Sequence, residues 1–175
     1  MNAVLDRWNK AEKSEALRAM MACCGARRWT EAMVALRPIE NVVELSMAAD
    51  RVWSTMEEAD WMEAFACHPR IGERKGIGER KAVHASAKSQ AWSRQEQSSA
   101  ADAEERVLAE LAAENARYEE RFGFTYIVCA TGKSAKDMLS ILNRRLATER
   151  AAELREAAEQ QRQITQIRLG KWLVE

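Results

Sequence analysis

At 175 residues the chain has the size of one compact domain and is long enough to bury a real core. Apolar residues make up 47% and charged ones 31%, which excludes a disordered or fibrous protein. Its 27 acids balance 27 bases, so no bulk field favours nucleic acid or an anionic membrane. Ala, Glu, Arg, Leu and Gln dominate between two prolines and seven glycines. These are good helix formers, and their apolar members recur with helical rather than alternating period. The opening stretch, Met1 to Ala16, carries charge at Asp6, Arg7, Lys10, Glu12 and Lys13, so it lacks the apolar run of a signal peptide. No window reaches the roughly 20 apolar residues of a membrane helix. The closing Leu173-Val174-Glu175 is not a peroxisomal address. A cytoplasmic chain is expected.

In chain order, Ser14 is placed to cap a helix through Leu17, Met20 and Met21 that stops at Gly25. Arg28 to Leu36 reads as a short helix closed before Pro38. Asn41 with Glu44 forms a capping-box pattern for a helix through Leu45, Ala48 and Val52 towards Thr55. Trp61 to Cys67 is a further short helix, ended by the approach to Pro69. From Arg70 to about Gln90 the run Ile71-Gly72-Glu73-Arg74-Lys75-Gly76 nearly repeats as Ile77-Gly78-Glu79-Arg80-Lys81-Ala82, and its glycines predict a loop. Neither GxGxxG nor GxxxxGK[ST] is present, so it is no phosphate cradle. Ser93 with Glu96 predicts the start of the longest helix, running to about Arg121 and ended by Gly123. Phe124 to Ala130 is strand-like in composition. With nothing to pair with, it reads as an extended, buried connector. Ser134 caps a helix carrying Met138, Leu139, Ile141 and Leu142, and a last helix follows Thr148. The expected fold is an all-α bundle of about seven or eight helices, one domain over residues 1–175.

Three places offer chemistry. His68 stands before Pro69, which forces it out of helical geometry at a helix exit. Imidazole titrates near neutrality and suits proton transfer; a histidine complementing the last helical carbonyls is the plainer alternative. Ser93 and Glu96, with Gln97, read first as a cap, yet a first helical turn also binds polar or anionic ligands. Arg168 lies beside the apolar face of the last helix, between Ile164 and Trp172. It therefore needs either an anionic or carbonyl partner or a route for its head group to water. Arg162, by contrast, reads as solvated, and His84 as an ordinary polar-loop residue. Cys23, Cys24, Cys67 and Cys129 lack the spacing of a metal or redox site, and reduced, mostly buried thiols are expected.

Together these residues resemble one family. His68-Pro69-x-Ile71-Gly72, Ser93-x-x-Glu96-Gln97, Phe122-Gly123-Phe124 leading into Ile127-Val128-Cys129-Ala130, and Ile167-Arg168-Leu169 occur in the order seen in 2-oxo-4-hydroxy-4-carboxy-5-ureidoimidazoline (OHCU) decarboxylases. Each motif is weak alone; the ordered set, spanning about Leu36 to Trp172, is specific. The resemblance implies decarboxylation of the hydrolysed urate product to S-allantoin by an all-α enzyme, often a homodimer, without metal or organic cofactor. It makes His68 and Glu96 catalytic, and it puts Pro69, Ser93, Gln97, Phe124, Ile127 and Arg168 against the small-molecule substrate. Thr125-Tyr126 departs from the family's frequent Pro-Phe, and the Gly-rich duplication is longer than the pattern expects. Neither nucleic acid nor membrane is an expected partner. The competing readings are a helical module offering the basic residues of Arg70 to Lys81 to RNA phosphates, and a hydrolase of another ureide. Aromatic residues for base stacking are missing from the basic stretch, which also carries Glu73 and Glu79.

Overall fold

The computed structural model describes residues 2–71, 87–96 and 105–175. Among these residues there are nine helices and no strand, so the all-α expectation holds and the count exceeds it. The chain forms two compact units, Met1–Ala64 with Arg162–Glu175, and Phe65–Gln161.

The first unit begins with a helix that composition did not announce, α1 (Ala3–Lys10). The Asn2 side chain accepts from the Val4 and Leu5 amides at 2.9 and 3.0 Å, satisfying two N–H groups that a helix start leaves orphaned. Its amide Nδ2 donates to the Leu173 carbonyl at 3.0 Å, and Trp8 meets Trp172 edge-on at 5.9 Å. α2 (Lys13–Cys23) has Glu12 at its cap position, and Ser14 lies inside the first turn rather than capping it. Burial of Ala16 and Met20, with the Trp8 indole donating to the Ala16 carbonyl at 3.1 Å, fixes that start instead. Gly25 does not adopt the left-handed conformation of a helix-terminating glycine. α3 (Arg27–Ala35) precedes a cis Arg37–Pro38 peptide.

α4 (Val42–Trp53) is capped by Asn41, whose Oδ1 accepts from the Glu44 amide at 2.9 Å. Glu44 reaches past the cap to the Glu40 amide at 2.7 Å, so half of the expected box is displaced by one residue. α5 (Glu58–Phe65) opens three residues before the expected Trp61. Glu58 and Asp60 suit the positive end of its dipole, and Asp60 accepts from the Glu57 amide at 3.0 Å. On α4, Ser46 and Asp50 stand four residues apart and face the end of the last helix. Gln166 donates to the Ser46 carbonyl at 2.9 Å, and Arg162 forks onto Asp50 at 3.0 and 3.1 Å. Arg162 is thus a paired residue, not the simply solvated one its sequence neighbours suggested.

The second unit contains α6 (Ala87–Glu96), α7 (Glu105–Phe122), α8 (Ala135–Arg145) and the first half of α9 (Arg150–Trp172). The helix expected to open at Ser93 is already formed by Ala87, so Ser93 is interior to α6 and not its cap. Ser89 and Trp92, one turn apart, are both buried, and this tertiary anchor decides where the helix lies. The same helix replaces the end of the expected loop; the duplication from Gly72 to Ala82 and the loop on to residue 86 lie outside the described residues, as does His84. The longest described helix is α9, with 23 residues. α7 ends as expected: Gly123 adopts φ +81° and returns its amide to the Glu119 carbonyl at 2.8 Å. Ser134 and Asp137 form a complete capping box for α8.

The connector Phe124–Ala130 is irregular and buried, as its isolation implied. Side chains replace the missing strand partner. Arg145 donates to the Ile127 carbonyl at 2.6 Å, Gln160 accepts from the Cys129 amide at 2.8 Å, and Lys133 donates to the Cys129 carbonyl at 2.7 Å. Behind the connector lies a buried ionic cluster. Glu153 accepts from Tyr118 and from Arg145 Nε at 2.7 Å, with Thr148 at 3.2 Å on its other oxygen. The Arg145 guanidinium stacks over the Tyr126 ring at 4.9 Å.

Burial raises the hydroxyls of Tyr118 and Tyr126 well above their ordinary value of 10.0, outweighing the pull of the Arg145 charge. Such groups keep their proton in the folded protein and lose it near pH 10 when unfolded. Their stabilisation is therefore complete below that value and declines as pH rises beyond it. Because these are the chain's two tyrosines, tyrosinate absorbance during alkaline titration should stay flat until the fold melts. Native-state ionisation near 10 would contradict the burial account.

Candidate active site

His68 follows α5 in a bend, its amide donating to the Phe65 carbonyl at 3.0 Å. The segment from His68 to Ile71 is held by two helices of the same unit. On α7, Glu119 takes the Arg70 guanidinium in a two-point pair, Nε to Oε1 at 2.6 Å and Nη2 to Oε2. One turn earlier Asn115, wholly buried, donates to the Ile71 carbonyl at 2.9 Å. On α9, Gln161 sets Oε1 at 2.7 Å from His68 Nε2. His68 is half-buried and so is Pro69, whereas Gln161 has no exposed surface. A histidine merely completing a helix C-terminus would not need its ring held by a buried side chain from another helix. The geometry gives the imidazole a fixed orientation at the edge of the core.

Phe124 and Ile127 belong to the same unit, and both are buried. The Phe124 ring packs against Phe65 at 5.3 Å, three residues before His68 in the chain, and against Tyr118 at 5.7 Å. The Ile127 carbonyl is occupied by Arg145. Tyr126, the departure from the family pattern, turns into the core and donates to the Met138 carbonyl at 3.1 Å. Ser93 and Glu96 lie on α6; their side chains, and Gln97 entirely, fall outside the described residues. Arg168 belongs to the first unit and is 1% exposed, so the alternative in which its head group reaches water is excluded. A buried guanidinium carries a desolvation cost that only polar partners offset.

Residues that the sequence reading did not single out hold the site together: Asn115, Glu119, Arg145 and Gln161. Asn115 and Glu119 were legible in principle, since they share helical spacing with Leu111, Tyr118 and Phe122 on α7. Gln161 had no such signal, sitting in a Gln- and Glu-rich stretch that looks solvated. All four cysteines are buried thiols, and no group of three metal-ligating side chains occurs among the described residues. No described helix is long and apolar enough to cross a membrane.

The chain matches the family model described as OHCU decarboxylase over residues 9–170. It is 32% identical over 160 residues to the uric acid degradation bifunctional protein TTL of Arabidopsis thaliana, covering 85% of this chain and 44% of that protein. A 55-residue stretch is 42% identical to 2-oxo-4-hydroxy-4-carboxy-5-ureidoimidazoline decarboxylase of Amia calva, 31% of either chain. This chain thus spans less than half the length of the curated relatives it matches. Among solved structures, an OHCU decarboxylase crystallised in the presence of (S)-allantoin superposes with a TM-score of 0.74 at 30% identity, covering 89% of this chain and 96% of that one. An (S)-allantoin synthase at 15% identity and TM-score 0.67 shares the fold, over 96% of this chain and 53% of its own.

Proposed function

This chain belongs to the OHCU decarboxylase family, and from that premise we propose that it converts OHCU to S-allantoin in urate breakdown, stereoselectively and without a cofactor. The observation that carries the reading is the likeness, over nearly its full length, to a decarboxylase solved with (S)-allantoin. His68 and Glu96 are the catalytic pair, with Pro69, Ser93, Gln97, Phe124, Ile127 and Arg168 lining the substrate site. The chain acts as one domain over 1–175, in the cytoplasm and as a homodimer. Four buried thiols accord with a reducing compartment.

The chemistry suits these groups. Loss of carbon dioxide leaves an electron pair on a ring carbon, and the substrate's own imino and carbonyl groups absorb it, which is why no cofactor is required. What remains is to aim donors where charge develops and to add one proton to one face. His68 manages that proton, and Glu96 holds the ureido N–H groups. Arg168 suits a ring or ureido carbonyl, since gripping the departing carboxylate would stabilise the ground state. Pairing of Arg70 with Glu119 removes one cation from the basic stretch that a nucleic-acid reading would use.

Freshly generated OHCU, followed by circular dichroism for S-allantoin, tests this directly. The expected result is a rise of optically active product well ahead of spontaneous decay to the racemate, with release of carbon dioxide. Release of ammonia or urea instead would mark a ureide hydrolase, and no acceleration by folded protein would defeat the decarboxylase reading.

A further inference from the structure

The contact between His68 and Gln161 constrains the imidazole more than an orienting contact must. Gln161 Oε1 lies 2.7 Å from His68 Nε2 and is a carbonyl oxygen, which only accepts. The glutamine is fully buried on α9, away from bulk water. A ring nitrogen without hydrogen would set its lone pair against that oxygen at 2.7 Å, and burial leaves the repulsion poorly screened, which favours the ring form that keeps hydrogen on Nε2.

We propose that Gln161 is a positioning residue for the decarboxylation, holding His68 as the Nε2–H tautomer so that Nδ1 is the nitrogen that carries the proton to substrate. The proposal rests on the decarboxylase reading above for its catalytic consequence, but not for the pairing itself. In each turnover Nδ1 binds one proton from water and hands it to the ring carbon from which carbon dioxide has left. One proton consumed balances one carboxylate lost, and Nε2–H stays on Gln161 throughout. A wrong tautomer would place the lone pair against the glutamine oxygen, repelling it, and would offer substrate the wrong nitrogen.

Nitrogen-15 spectra of histidine-labelled full-length protein read the tautomer directly. The chain has two histidines, so His84→Gln assigns the signals. At a pH where the ring is neutral, His68 should show a protonated Nε2 and a lone-pair Nδ1. Gln161→Met, similar in size but without the acceptor, should mix the tautomers and lower kcat by about 10²-fold, with KM changed by no more than about threefold. Gln161→Glu keeps an accepting oxygen and should restore the Nε2–H signature. A wild-type Nδ1–H form, or a Gln161→Met protein with unchanged tautomer and kcat, overturns the proposal. Should Gln161→Met not fold, the wild-type and Gln161→Glu spectra still decide it. A wild-type chain that leaves OHCU decay unaccelerated defeats the decarboxylase reading, while the spectra continue to decide the pairing.

Discussion

Replacing His68 by asparagine is expected to lower kcat for S-allantoin formation by about 10²- to 10⁴-fold, the range a positioned proton-transfer group contributes. Asparagine keeps a hydrogen-bonding group near the position of Nδ1, stops short of that of Nε2, and cannot exchange a proton near neutrality. The background decay yields racemate, so the loss is read most cleanly as lost optical activity rather than lost substrate. The fold should persist with a modest loss of stability, because the buried Gln161 loses its contact with the ring while the loop around His68 remains tied by Arg70 to Glu119 and by Asn115 to the Ile71 carbonyl. Thermal melting alongside the dichroism assay separates the two effects. Full activity in a well-folded H68N protein would remove His68 from the mechanism.

The largest stability effect is expected at Arg145. Its guanidinium is 4% exposed, its Nε donates to Glu153 at 2.7 Å and its Nη1 to the Ile127 carbonyl at 2.6 Å. Nη2 also lies 2.6 Å from the same glutamate oxygen, in ion-pair range but without an aligned hydrogen bond of its own. Arg145→Ala leaves Glu153 charged at 1% exposure, with neutral hydroxyl donors as its remaining partners in the cluster. Breaking one side of a buried pair costs about 3–5 kcal/mol, a large share of the ~5–15 kcal/mol that holds a typical domain folded. Urea denaturation should report that loss. The double replacement Arg145→Met with Glu153→Met should recover part of it, since no unpaired charge then remains. A single-mutant loss below about 1 kcal/mol would mean that the pair is not closed in solution.

This cluster also supports the site. The Ile127 carbonyl loses its buried donor in Arg145→Ala, and the connector that carries Phe124 loses one of the side-chain bonds that replace a strand partner. Two of those bonds come from residues on helices, Arg145 on α8 and Gln160 on α9, both far from the connector in sequence.

Legibility in the sequence followed the range of the forces involved. Local signals sufficed at Asn41, Gly123 and Ser134, where a cap or a left-handed turn is satisfied within a few residues. They failed at Ser14 and Ser93, which have good cap chemistry but lie inside helices placed by distant burial, of Ala16 beside Trp8 in one case and of Ser89 and Trp92 in the other. Periodic apolar residues exposed the helices, but α9 also buries Glu153, Gln161, Thr165 and Arg168 at core positions. A pattern that scores polar residues as surface misses them, apart from Arg168, whose apolar flanks gave it away.

Sequence by itself determined the all-helical class, the connector that could not be a strand, and His68-Pro69 within an ordered motif set of one family. These are properties of local propensity and of residue order, and they need no knowledge of what packs where. Only the tertiary structure decided which polar side chains are buried and which groups they hold: Gln161 on the His68 ring, Asn115 on the Ile71 carbonyl, Arg145 on Glu153 and Ile127. A buried polar group is tolerated when its partner is present, and that partner stands 93 residues away for His68 and Gln161 and 44 for Asn115 and Ile71. No local pattern encodes a pairing of that span; it exists only once the helices have packed.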